Sequence, residues 1–194
     1  LDRLPTLGIA PKIIAPDHGP VWRTELGRLL GWYAAWTRQN KRRKALVVYD
    51  TMWNSTSLMA HAIADGLEAG GASVKLMSLK ANHRSDILHE VLDAGALLVG
   101  SPTLNNNVYP TLADFLTYLK GLKPQHLIGA SFGSYGWSGE AVGQIKEFLE
   151  AMKVELVHEG LRQRFVPDAK CLGECAALGR ATAEKLAARV GYQG

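Results

Sequence analysis

The sequence predicts an α/β protein, a doubly wound three-layer sandwich around five parallel strands in the order 2-1-3-4-5. Three observations carry this. Short aliphatic or aromatic runs without polar alternation, such as ALVVY (45–49) and AGALLVG (94–100), suit strands covered on both faces. Stretches with helical spacing of apolar residues lie between those runs, and glycines or polar clusters mark the junctions. The 194 residues, 47% hydrophobic and 21% charged, suffice for one such domain plus a short extra segment.

The first 40 residues do not read as a self-contained unit. Ile9–Ala15 suits one strand, APDHGPVWR (15–23) a loop, and Leu26, Leu29, Leu30 and Tyr33 a helix over 24–37. The chain opens on Leu1 and begins like the middle of a domain, so it is expected to be a piece of something larger. Gln39 to Arg43 reads as a linker, and 41–194 as the domain proper. There, strand Ala45–Tyr49 gives way to the polar loop 50–56. A helix follows with Leu58, Met59, Ala62, Ile63 and Leu67 on one face, ended by Gly70-Gly71. Strand 73–78, helix 86–92 and strand 94–100 come next. Helix 111–119, strand 126–132, a helix ending at Met152, strand 154–164 and a closing helix 168–190 complete the pattern.

The net charge of +4 and pI of about 9.1 are modest, and much of the excess sits in Arg38 and Lys41–Lys44. No aromatic platform or nucleic-acid module accompanies that cluster, so it reads as a solvated linker, or as a surface for an acidic redox partner. No apolar run approaches the roughly 20 residues of a membrane span. The only cysteines, Cys171 and Cys175, lie one helical turn apart without zinc-type spacing. Few cysteines and no secretory signal place the expectation in the cytoplasm.

Ligands of an open parallel sheet bind beyond the carboxyl ends of its strands, at the switch point. Three polar loops leave such ends here: 50–56, 101–107 and 133–139. The first carries Thr51, Asn54, Ser55 and Thr56 directly into a helix N-terminus, which favours an anion. It reads as a phosphate loop without glycine or lysine. The second, SPTLNNN, offers hydroxyls, amides and backbone N–H groups to a heterocycle edge. The third pairs glycines with Tyr135 and Trp137, and Trp53 from the first loop is a second candidate ring wall.

TMWNST, SPTLNNN and FGSYGWSG together resemble the flavodoxin-like domain of flavodiiron proteins, the A-type flavoproteins that reduce oxygen or nitric oxide. The resemblance implies a flavodoxin-like sandwich holding FMN, with Thr51, Met52, Trp53, Asn54, Ser55 and Thr56 around the phosphate. Ser101, Pro102, Thr103, Leu104 and Asn107 would line the ring edge, and Ser134, Tyr135, Gly136 and Trp137 the third side. It also implies that 1–40 is the tail of a metallo-β-lactamase-like domain, with His18 matching the last histidine of a di-iron site. No HxExDH-type cluster precedes His18, so both irons depend on a domain outside this sequence.

On that resemblance the chain is an oxidoreductase domain that accepts electrons from a soluble donor, such as rubredoxin or a flavin/NADH reductase, and passes them to iron. It would form a head-to-tail homodimer and bind neither nucleic acid nor membrane. The rivals are a flavodoxin-fold NAD(P)H-dependent quinone reductase and a receiver-like signalling domain. The latter needs an aspartate where this chain has Ser101.

Overall fold

A computed structural model describes residue 3 and residues 5–190, divided into two compact units, Leu1–Asn40 and Lys41–Gly194. In the first, a single 3-10 turn (Pro5–Leu7) precedes helix α1 (Leu26–Arg38). The strand expected over 9–15 is reduced to one antiparallel bridge between Ile14 and Trp22. Pro11 and Pro16 flank it and lack the donors that a longer ladder needs. Trp22, Trp32 and Trp36 form an aromatic group, with Arg28 4.6 Å from the Trp32 ring centre.

The second unit runs β1 (Arg42–Tyr49), α2 (Ser55–Ala69), β2 (Ser73–Ser78), α3 (Arg84–Val91), β3 (Ala94–Leu104) and β4 (Asn107–Val108). It continues through α4 (Pro110–Leu122), β5 (Ile128–Tyr135), α5 (Ala141–Ala151), β6 (Glu155–Leu156), β7 (Leu161–Arg164) and α6 (Ala169–Val190). The main sheet is parallel in the order β2-β1-β3-β5-β6. With the short β4 set aside, that is the expected 2-1-3-4-5 order.

Alternation along the central strands builds the two cores. Ala45, Val47 and Tyr49 belong to the core with α2 and α6, whereas Leu46 and Val48 join the one with α3, α4 and α5. Gly70 and Gly71 end α2 as expected: Ala72 N donates to Leu67 O, and Gly71 takes φ +79, closing a left-handed cap. On the α6 side, Gly66 and Gly179 allow α2 and α6 to meet at backbone distance. A Cβ on Gly66 would lie 2.1 Å from Ala176 O, and one on Gly179 2.2 Å from Ile63 O. Cys171 and Cys175 are buried in this seam.

Three expectations need correction. The fifth strand, 154–164, is two strands: β6 pairs with the start of β5 and β7 with its end. Gly160, at φ +117, interrupts the ladder, its N–H donating to His158 Nδ1 at 3.0 Å. The third strand does not stop at Gly100 but runs to Leu104, and Asn105 and Asn106, at φ +49 and +59, turn it back into β4. Two consecutive positive φ values define the hairpin turn that asparagine tolerates best after glycine.

The basic run is not a linker either. Lys41 is buried, its ammonium donating to Val91 O and Leu92 O at 3.2 Å. Lys44 sits between Glu90 (2.6 Å) and Asp93 (2.5 Å), and Arg43 donates to Gly70 O at 2.6 Å. These cations close the amino edge of the sheet, where helix carbonyls collect.

Candidate functional site

The carboxyl ends of β1, β3 and β5 bring the three polar loops to one place. Between them lies a pocket of about 250 Å³ lined by Met52, Trp53, Ser55, Pro102, Thr103, Ser134, Tyr135 and Gly136. All eight are among the fifteen residues that the sequence nominated. Thr51, Asn54, Thr56, Ser101, Leu104, Asn107 and Trp137 do not line it. Sequence reasoning missed two lining residues, Phe165 and Val166, which follow β7. The strand-end rule covers this fourth loop as well, but its apolar FVPD stretch lacks the polar character that marked the others.

The loop after β1 is fixed from beneath. Asp50, fully buried, accepts from Thr51 N at 2.7 Å and from Thr111 Oγ1 at 2.6 Å, tying the loop to the start of α4. Thr56, also buried, shares a 2.9 Å hydrogen bond with Ser134 Oγ and so joins the first loop to the third. Asn54 enters α2 at φ +65 with no side-chain cap, leaving the helix's first N–H groups open to an anion. Thr51 Oγ1 is buried and has no partner among the described residues. An orphaned buried hydroxyl costs about 1–3 kcal/mol unless something outside the chain pairs with it.

The second loop is held as firmly. Gln144 of α5 accepts from Val108 N at 2.8 Å and donates to Asn106 O and Asn107 Oδ1 at 3.2 and 3.1 Å. Asn107 thus clamps the hairpin. Ser101 Oγ accepts from Tyr109 N at 2.9 Å while donating to Pro102 O. Ser138 donates to Asn106 Oδ1 at 3.2 Å, joining the second loop to the third.

Trp53 and Trp137 stand 86% and 90% exposed beside these loops. Tryptophans packed into a core would be covered, so both are available to a ligand or partner. Neutral donors and a dipole at one end, with apolar and aromatic walls beyond, suit a ligand with a phosphate and a flat ring.

His18 is exposed on a bend of the first unit. Among the described residues, no group of three or more His, Cys, Asp or Glu side chains is placed to hold a metal. No described helix is long and apolar enough to cross a membrane.

This sheet and loop arrangement is that of a nucleotide-type cofactor domain. Residues 47–179 match the flavodoxin family model, and the chain belongs to the flavodoxin family. It is 46% identical over 191 residues to a nitric oxide reductase of Moorella thermoacetica, covering 98% of this chain and 47% of that protein. Among solved structures, rubredoxin oxygen:oxidoreductase from Desulfovibrio gigas superposes with a TM-score of 0.92 at 37% identity. That match spans 97% of this chain and 48% of the other. An archaeal flavodoxin superposes at 0.67 with 36% identity, over 74% of this chain and 98% of its own. The chain therefore spans about half the length of the curated relatives it matches. Its similarity is to the flavodoxin-like part of flavodiiron proteins, the Giardia intestinalis one included.

FMN is the cofactor that family membership brings, and the residues present fit it. The unpaired Thr51 hydroxyl and the uncapped start of α2 offer donors for a phosphate, with apolar walls alongside.

Proposed function

We propose that this chain is the FMN-binding electron-transfer domain of a flavodiiron-type oxygen or nitric oxide reductase. The observation that carries the reading is the buried, unpartnered Thr51 hydroxyl on the loop that opens α2. On this reading Thr51, Ser55 and Thr56, with the N–H groups of residues 52–56, hold the phosphate. Met52, Trp53 and Asn54 complete the surround of the phosphate, Ser101, Pro102, Thr103, Leu104 and Asn107 line the ring edge, and Ser134, Tyr135, Gly136 and Trp137 line its third side.

When bound, FMN supplies reversible one- and two-electron transfer. The protein's part is to keep the site rigid through the Thr56–Ser134, Asp50–Thr111 and Gln144 hydrogen bonds, so that binding orders few groups. The second loop's backbone N–H groups orient the heterocycle edge, and the aromatic walls exclude water from its faces.

The remaining assignments follow from the same reading. A soluble donor of the rubredoxin kind, or a flavin/NADH reductase, delivers electrons in the cytoplasm. Residues 1–40 are the tail of a metallo-β-lactamase-like domain. There His18 ligates iron once the rest of that domain is present, and the complete protein works as a homodimer.

Titration with FMN, followed by flavin fluorescence, tests the cofactor site. The chain is expected to bind one FMN without iron. Thr51→Val should weaken binding roughly tenfold while leaving the melting temperature of the FMN-free protein unchanged or higher, since no internal hydrogen bond is lost. Absence of FMN binding at micromolar protein would overturn the reading.

A further inference from the structure

We infer that the turn leaving β7 forms a fourth wall of the flavin pocket, with Phe165 as its contact residue and Arg164 as its brace. This rests on the FMN reading above. The sheet itself dictates the position. Tyr135 pairs in register with Arg164, so Phe165 emerges one step further on, beside Gly136. A Cβ on Gly136 would stand 3.7 Å from Phe165 Cε1, ordinary contact, so the glycine keeps this rim low rather than preventing a clash.

The backbone at Phe165 adopts φ +62, a left-handed conformation that aromatic residues rarely take. Three ties hold it there. Phe165 N donates to Tyr135 O at 2.7 Å, and Arg164 Nε donates to Gly136 O at 3.2 Å. The Arg164 guanidinium also lies 4.8 Å from the centre of the Phe165 ring, stacked as a cation on its face.

For all this, Phe165 is 61% exposed, and Val166 beside it 67%. Packing within the chain therefore does not repay the strain, and glycine would serve the fold better at this position. Strained residues of this kind gather at ligand clamps, where the surroundings hold a conformation that the ligand uses. The pocket into which both residues project supplies the use. Phe165 is the apolar counterpart of the polar phosphate end, and the braced turn holds it in place before any ligand arrives.

The test separates strain from contact. Phe165→Gly removes both the ring and the left-handed penalty, so the FMN-free protein should melt about 2–4 °C higher. Its FMN dissociation constant, from quenching of flavin fluorescence, should rise roughly tenfold. Phe165→Ala keeps the penalty and loses only the ring, so FMN weakens similarly without the gain in melting temperature. Phe165→Tyr should bind within about twofold of the wild type, because the ring is retained. Glycine and alanine variants that bind FMN as tightly as the wild type would overturn the proposal. So would a lower melting temperature for Phe165→Gly with unchanged affinity, which would make the ring a packing group. A wild-type chain that binds no FMN would instead defeat the cofactor reading, and this wall with it.

Discussion

At the scale of single residues, Lys41 and Lys44 show what a sequence hides. Both belong to one basic run, and charge density alone gave them the same solvated role. The fold separates them. Burial pushes the Lys41 ammonium down to about 8 from an ordinary 10.5, despite the opposing pull of Asp93. Burial also disfavours charge at Lys44, but hydrogen bonds to Asp93 and Glu90 outweigh it and hold that group above its usual value. The consequences for stability have opposite signs. Between about pH 8 and 10.5 the folded chain carries fewer protons at Lys41 than the unfolded one, so Lys41 adds stability as pH rises through that window. Lys44 contributes stability that is complete below 10.5 and lost above it, as pH climbs through its raised value. Lys41→Met should flatten the rise between pH 8 and 10. At pH 7 the relief of a buried charge is offset by two lost hydrogen bonds, to Val91 O and Leu92 O, and stability should change little. Urea melts at pH 7 and pH 9.5 check both, and a variant with an undiminished rise would assign it to another group. The polar site residues were more legible, because hydroxyls and amides at a strand end have few other reasons to cluster. Phe165 was not, because a lone aromatic after a strand looks like core.

At the scale of elements, glycine placement explains which boundaries were readable. Gly70-Gly71 announced the end of α2 because a left-handed cap is a local event. Gly160 did not announce the break between β6 and β7, because one glycine in an apolar stretch equally marks a bulge or nothing. The Asn105-Asn106 turn was read as part of a loop, since a two-residue hairpin has almost no strand pattern of its own. Gly66 and Gly179 were invisible for another reason: their role is to leave room for a helix distant in sequence. Gly179→Ala should force α2 and α6 apart, costing about 1–3 kcal/mol, because the added methyl meets Ile63 O at 2.2 Å. Thermal melts of the FMN-free protein measure the loss. Because α2 begins at the loop proposed to hold the phosphate, FMN affinity should fall as well. Equal stability would mean the seam repacks freely.

At the scale of the molecule, the strand order was legible because runs apolar on both faces admit few arrangements, and right-handed crossovers select among them. The site's location followed from that order, and three loops of unusual composition then narrowed the family. The matched relatives are about twice as long as this chain. Within it, α2 leads from the loop after β1 into the seam with α6. Cys171 and Cys175 lie there, buried, with burial pushing the Cys175 thiol up to about 12 and Cys171 also upward. Protonated and covered, neither reacts with an alkylating reagent until α6 lifts away. With FMN at about 100 times its dissociation constant, that opening should become roughly a hundredfold rarer if it releases the flavin. Alkylation counted by mass spectrometry would show it, whereas an unchanged rate would mean α6 opens with the flavin still held. The two thiols are thus a chemical clock inside the fold, recording in covalent marks how often the empty protein comes apart and the loaded one does not.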